Sequence, residues 1–227
     1  MRMRTAFVVF ACGYLCAAAA SVRAQRFDEI VREDFFAGMT GDHARFDRAM
    51  RTCEEALAKD PGNAPALVWH GAGLLVRSGL AFRDGEPDRG IELRTRALRE
   101  MGQAVGKAPD DVQVLIPRAA ILVSQARYSP DEQARGMART AADDYERVLT
   151  IEAPWFGGLG VHPRGELLGG LATAYRLSGD NDKAAAMLHR ISRELPGTSY
   201  DRKAQSWLAD LSAVPKEDHF CLGCHTP

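Results

Sequence analysis

The spacing of apolar residues constrains the fold of this chain more than any other feature. From Gln25 onward, apolar side chains recur at intervals of three and four residues, as at Phe46, Ala49, Met50 and Cys53. This spacing places them on one face of an α-helix, whereas a β-strand needs alternation at every second residue, which the chain lacks. The chain is therefore predicted to be all-α.

A second constraint is that one helical pattern returns along the chain. An alanine is followed twelve residues later by a proline in three segments, 49–61, 97–109 and 184–196. A similar frame that is one residue longer covers 141–154. Three of these four frames are preceded by a further apolar pattern, at 67–74, 115–122 and 168–175. Small residues at fixed positions allow two helices to cross closely, and a proline ends the second helix.

The segment 165–198 resembles a tetratricopeptide repeat. Its motif is Leu168-x2-Leu171-Ala172-x2-Tyr175, then Ala184-x3-Leu188-x2-Ile191, then Pro196, with the turn between the helices at Gly179-Asp180. The likeness extends over about residues 30–211, although only this copy is close to the family pattern. It implies a solenoid of about four irregular helical hairpins over residues 25–211, which binds other proteins through its concave face.

The repeats differ from the family pattern in their length. The steps from proline to proline are 48, 45 and 42 residues, against about 34 in the regular repeat. Each unit is therefore expected to contain an insertion that forms a loop, the largest at 80–89. A second expected loop, 155–163, contains His162 and is apolar for a loop, so it either packs against the hairpins or contacts a partner.

The first residues resemble a secretory signal peptide. Arginines precede an apolar stretch from Ala6 to Ala20, and small residues precede Gln25. The stretch is shorter than the roughly 20 residues that cross a bilayer. Cleavage of residues 1–24 is thus expected to leave a soluble, exported or periplasmic protein without a transmembrane segment, and an uncut N-terminal anchor is the alternative.

Charge and motifs argue against several function classes. Residues 1–24 contain three of the 29 basic residues and none of the 30 acidic ones, so the mature chain is net negative. Such a chain lacks the positive field that gathers phosphates, and no nucleic-acid partner is expected. No phosphate-binding loop, zinc-protease motif or nucleophile elbow is present, so no enzyme is predicted. His70 and Cys53 are predicted to be packing residues of the core.

The C-terminus carries the motif with the most specific chemistry. Cys221-x-x-Cys224-His225 matches the attachment sequence of c-type cytochromes. The resemblance covers these five residues and implies one haem c, bound through both thiols, with His225 as an axial ligand of the iron. A sixth ligand would come from His162 or, less favourably, from His219. A partner ligand or an open position are the alternatives.

Other interpretations of the two cysteines stay open. They could form a disulfide or redox pair, bind zinc together with His219 and His225, or be inert. In every case residues 212–227 are expected to form a short linker and a free tail. The preferred function is a protein-interaction scaffold whose haem transfers electrons, and the alternative is a scaffold without haem.

Overall fold

The structure, a computed structural model, describes residues 26–220. Within this range every regular element is helical and no β-strand occurs, so the all-α prediction is confirmed. The α-helices are α1 (Phe27–Met39), α2 (His43–Lys59), α3 (Ala64–Arg83), α4 (Pro87–Lys107), α5 (Val112–Ala126), α6 (Asp131–Glu152), α7 (Val161–Ser178), α8 (Asn181–Glu194) and α9 (Ser199–Ala209). Single 3-10 turns lie at Phe156–Gly158 and Leu211–Ala213. No helix in residues 26–220 combines the length and apolar content needed to cross a bilayer.

Several helices begin at a side chain that accepts a hydrogen bond from their first turn. Asp42, Asn63, Asp180 and Thr198 each accept from a backbone N–H two or three residues within the helix that follows. These caps satisfy N–H groups that have no partner inside the helix. Gly179 ends α7 with a φ of 92°, which a residue with a side chain rarely adopts. The predicted turn at Gly179-Asp180 is therefore confirmed.

Consecutive helices pack as hairpins. Helix α1 contacts α2, α3 contacts α4, α5 contacts α6, and α7 contacts α8. The odd-numbered helices also contact one another in chain order, from α1 through α3, α5 and α7 to α9. This order places α5, α7 and α9 side by side, which matters for the C-terminal residues described below.

One hydrophobic core runs through all the hairpins. Alanines of the repeated frames, including Ala97, Ala141, Ala172 and Ala184, are fully buried where the helices approach each other. Only a methyl-sized side chain allows that approach. Cys53 is also buried in this core, as predicted.

Two neighbouring hairpins each contain a buried polar pair that joins their two helices. The two pairs occupy equivalent positions of the repeated frame. In the pair α3 and α4, His70 Nδ1 lies 2.6 Å from Glu100 Oε2. In the pair α5 and α6, Arg118 donates two hydrogen bonds to the carboxylate of Asp144. The prediction that His70 packs inside the fold is confirmed, because only 2% of its surface is exposed.

The predicted insertions are taken up by longer helices instead of loops. Helix α3 continues to Arg83 and α4 begins at Pro87, so only residues 84–86 separate them. The predicted loop at 80–89 is wrong because Pro87 lies in the first turn of α4, where a missing N–H loses no hydrogen bond. The repeat units are long because their helices are long.

The predicted loop at 155–163 is only partly a loop. Helix α7 already begins at Val161, so His162 lies in a first helical turn. Of the two aromatic residues, Phe156 is buried and Trp155 is 53% exposed. Phe156 and the partly buried Leu159 therefore pack against the hairpins, whereas Trp155 stays exposed.

Candidate functional site

Residues 214–220, which we call the strap, lie against the odd-numbered helices directly before the Cys-x-x-Cys-His motif. Cys221, Cys224 and His225 themselves fall outside the described residues. The free tail expected from residue 212 onward is wrong as far as Phe220, because these residues are docked. The physical reason is a set of side chains on α5, α7 and α9 that bind them.

Arg176 on α7 binds the backbone of the strap. Its guanidinium donates to the carbonyl oxygens of Val214 and Pro215 at 3.1 Å each, and to that of Asp218 at 3.1 Å. The same group lies 4.8 Å from the ring centre of Trp207 on α9. Burial lowers the pKa of Arg176, while the nearby carboxylates of Asp218 and Glu217 oppose that shift. With a longer contact to the carbonyl of Lys216 at 3.4 Å, this half-buried cation binds four of the seven backbone carbonyls of the strap.

Arg127, at the end of α5, holds the middle of the strap. Its Nη1 donates to the carbonyl of Glu217 at 2.9 Å and lies 2.5 Å from Nδ1 of His219. Next to it, Lys216 donates to the carbonyl of Ser129 at 2.7 Å. The strap therefore bridges from α9 across α7 to the end of α5.

Phe220 fills a pocket floored by a glycine. Its side chain is 6% exposed, and its ring centre lies 4.8 Å from that of Trp207 in an edge-to-face arrangement. A Cβ atom on Gly169 of α7 would lie 2.5 Å from the Cβ of Phe220. The pocket exists because residue 169 has no side chain.

Asp218 occupies a second, polar site beside this pocket. Its carboxylate accepts hydrogen bonds from Lys203 Nζ at 2.6 Å and from Trp207 Nε1 at 2.8 Å. Burial raises the pKa of Asp218, but the hydrogen bonds from Lys203 and Trp207 outweigh burial and lower it overall. The carboxylate of Asp218 therefore lies in a site that provides two hydrogen-bond donors, one of them positively charged.

His219, a candidate sixth ligand, is already engaged by the fold. Its Nδ1 lies 2.9 Å from the carbonyl of Glu217 and also contacts Arg127. Its Nε2 is enclosed by protein and faces no hydrogen-bond partner among the described residues. Burial, together with the charges of Arg127 and Lys203, lowers the pKa of His219. The ring is therefore neutral at pH 7 and points into the protein.

His162, the first candidate for that ligand, lies away from the strap. Its Nδ1 is 3.0 Å from the hydroxyl of Tyr200, and its Nε2 is 3.6 Å from Glu166. Seven residues of α7 separate His162 from Gly169, which amounts to about 10 Å along the helix axis. The structure does not bring His162 and Phe220 together.

Two clefts lie elsewhere on the surface. One, of about 540 Å³, lies between α6 and the turn from α7 to α8, where Tyr175 donates a hydrogen bond to Glu146. The other, of about 520 Å³, lies between α4 and α6 above α5 and is lined by Leu98, Met137 and Arg94. Within residues 26–220 no group of three or more histidine, cysteine or acidic side chains is arranged to hold a metal ion.

The side chains that bind the strap form a surface that we call the dock. They were not predicted from the sequence. Arg127, Arg176, Lys203 and Trp207 each look like ordinary side chains of a helix face. The one available signal was Phe220, a large apolar residue in an otherwise polar segment. Comparisons with protein-family models, curated proteins and solved structures found no match.

Proposed function

We propose that this chain is an exported, periplasmic scaffold of the tetratricopeptide type that carries one c-type haem at its C-terminus. In this proposal Cys221 and Cys224 bind the porphyrin, His225 is an axial ligand of the iron, and partner proteins bind the concave face of the hairpin array. A haem at this position supplies reversible one-electron chemistry, with a partner protein as donor or acceptor of the electron.

The scaffold part is supported by the contacts between helices. Four hairpins follow one another, and their first helices contact in chain order. The equivalent placement of the pairs His70–Glu100 and Arg118–Asp144 supports a repeated unit, since unrelated hairpins have no reason to share it. In an array of this kind each unit buries its apolar face on its neighbours and leaves a long surface for partners.

The observation that carries the haem part is the sequence Cys221-x-x-Cys224-His225 directly after a fixed residue. Two thiols and an imidazole within five residues are the donor set of covalent haem attachment. Phe220, the residue before the motif, is held between Gly169 and Trp207 beside α7 and α9. The donor chemistry therefore fits the group, and the sixth ligand is left to a partner or an open position.

Haem staining tests this proposal. The full chain is produced in a host that attaches c-type haem, denatured, and stained for haem after electrophoresis. We expect a stained band that disappears in the double variant Cys221→Ala/Cys224→Ala, because a thioether-linked haem survives denaturation. An unstained band of the correct mass would favour the alternative, a scaffold whose terminal cysteines bind zinc, form a disulfide or are inert.

A further inference from the structure

We propose that the face formed by α5, α7 and α9 is a docking site for a short non-helical segment of a partner protein with the pattern acidic residue, any residue, aromatic residue. The strap is then a competitor built into the chain. This inference rests on the proposed scaffold function and names the chemistry of the partner. It also goes further, because displacement of the strap would release Phe220, the residue directly before the Cys-x-x-Cys-His motif.

The site binds backbone carbonyl groups, which any peptide segment offers. Arg176 donates to three or more carbonyl oxygens of the strap, and Arg127 donates to the carbonyl of Glu217. Hydrogen bonds from charged donors are about twice as strong as neutral ones. A partner segment that adopts the same conformation, including the turn at 216–217, would present the same carbonyls, whatever its side chains.

Two side-chain positions give the site its selectivity. The pocket over Gly169 accepts an aromatic ring against Trp207, and the amine of Lys203 lies 5.8 Å from the ring centres of both Phe220 and Trp207. The site of Lys203 and the Trp207 indole accepts a carboxylate two residues earlier. Buried tryptophan and arginine are the residue types that dominate binding energy at protein interfaces.

The strap itself contributes little to its own conformation. Within residues 214–220 a single hydrogen bond joins backbone to backbone, from the N–H of Asp218 to the carbonyl of Pro215. Two further local contacts join His219 to the carboxylate of Asp218 and to the carbonyl of Glu217. Most hydrogen bonds of the strap are nevertheless made with the helices and not within the strap. Because the strap is attached to the chain, it competes with a partner segment for the dock at an effective concentration of the order of millimolar.

A peptide that copies the strap provides the probe. A fluorescent peptide of residues 212–220 is titrated into full-length wild type and into the variant Phe220→Ala, whose own strap no longer fills the pocket. We expect saturable binding to Phe220→Ala that is at least tenfold tighter than binding to wild type. A peptide with asparagine in place of its Asp218 should bind the variant at least fivefold more weakly.

Matched variants locate the peptide in the dock. The double variant Gly169→Ala/Phe220→Ala should bind at least tenfold more weakly than Phe220→Ala, because the added methyl group occupies the pocket. Gly102→Ala/Phe220→Ala should bind as Phe220→Ala does, because a Cβ on Gly102 has no neighbour within 4 Å. Circular dichroism verifies that each variant keeps its helices. If Phe220→Ala lost them, Asp218→Ala would take its place as the weakened strap.

Three results would overturn the proposal. The first is no binding to Phe220→Ala, and the second is equal binding to wild type and to Phe220→Ala. The third is a stable complex between the wild-type chain and Phe220→Ala in sedimentation, which would make a second copy the occupant. Haem staining of the same samples reports on the proposed cofactor independently, so a failure of the peptide assay is distinguishable from a failure of haem attachment.

Discussion

Arg118 on α5 and Asp144 on α6 form a two-point ion pair, with distances of 2.7 Å and 2.5 Å between their nitrogen and oxygen atoms. The side chain of Asp144 is 4% exposed, and its burial raises the pKa of this carboxyl. The next hairpin has Leu171 and Met187 at the corresponding positions of the repeated frame. The same architecture thus accommodates either a buried ion pair or two apolar side chains.

This relationship predicts the outcome of an exchange between hairpins. Arg118→Leu alone should lower the free energy of unfolding by about 3 to 5 kcal/mol, because it leaves a buried carboxylate without its cation. Arg118→Leu/Asp144→Met should restore most of that loss, since the apolar pair is the one used by the next hairpin. Urea denaturation of both variants measures the difference. A double variant as unstable as the single one would show that the two hairpins are not equivalent.

Two carboxylates lie near the imidazole of His70, and the stability of the fold should depend strongly on only one of them, that of Glu100. Glu100 accepts from His70 and from Arg96, and these hydrogen bonds outweigh burial and lower its pKa. Glu100→Ala should destabilise the fold by about 2 to 3 kcal/mol. Glu54, which is half exposed and 3.7 Å from the ring, is the control. Its replacement by alanine should change stability by less than about 0.5 kcal/mol.

Gly165 of α7 should differ sharply from Gly102 of α4 when each is replaced by alanine. A Cβ on Gly165 would lie 2.4 Å from the ring of Tyr200, which is itself buried. Gly165→Ala should therefore lower stability by about 1 to 2 kcal/mol, despite the better helix propensity of alanine. Gly102→Ala, in open space, should raise it by about 0.5 to 1 kcal/mol. Thermal unfolding followed by circular dichroism compares the two, and a rise in both would contradict the packing seen around Tyr200.

Asp34 predicts a loss of stability in acid. Hydrogen bonds from Arg48 and Arg45 lower its pKa from 3.8 to about 2. A carboxyl with a lowered pKa stabilises the fold above its unfolded-state pKa, near 4, and loses that contribution as the pH falls towards 2. The difference in stability between wild type and Asp34→Asn should therefore be largest above pH 5 and shrink towards pH 2. Because the pair lies at the surface, we expect at most about 1 kcal/mol.

This electrostatic origin can be verified with salt. At about 1 M salt the screening length falls to about 3 Å, so the difference between wild type and Asp34→Asn should decrease at neutral pH. A difference that is independent of both pH and salt would assign the role of Asp34 to packing instead.

Cys53 should be chemically inert while the protein is folded. Burial, with smaller contributions from Glu54 and Glu100, raises the pKa of its thiol to about 12. The thiolate is the reactive form, so almost none is present at pH 8. Iodoacetamide should leave the Cys53 peptide unmodified in native buffer and alkylate it fully in denaturant, as read by mass spectrometry. Rapid labelling of native protein at this peptide would contradict the burial.

Sequence reasoning predicted the elements better than their connections. Periodicity and the small residues Ala97, Ala141 and Ala184 were enough to predict helices that pair closely. Glycine and proline residues were misleading in the prediction of a loop at 80–89. Gly79 lies inside α3 and Pro87 begins α4, and neither position interrupts a helix. A proline or glycine in a sequence does not state on which side of a helix end it will lie.

The dock could not be predicted for a different reason. Arg127 and Arg176 bind residues 38 to 92 positions further along the chain. Such contacts leave no periodic trace, and arginine on a helix looks the same whether it faces water or a strap. The motif at Cys221 was visible because its chemistry is local, whereas the surface that binds the strap is assembled from three helices.

The contact between Arg127 and Glu217 spans 90 residues of chain, so it closes a long loop. The entropy lost on closing such a loop makes its contacts late to form and early to open relative to those within a hairpin. As a chain folds, the hairpins can assemble while its last residues are still accessible to other proteins. On mild heating, amide hydrogens near residue 218 should exchange well before those of α5 and α7, so the strap would detach from an otherwise folded protein.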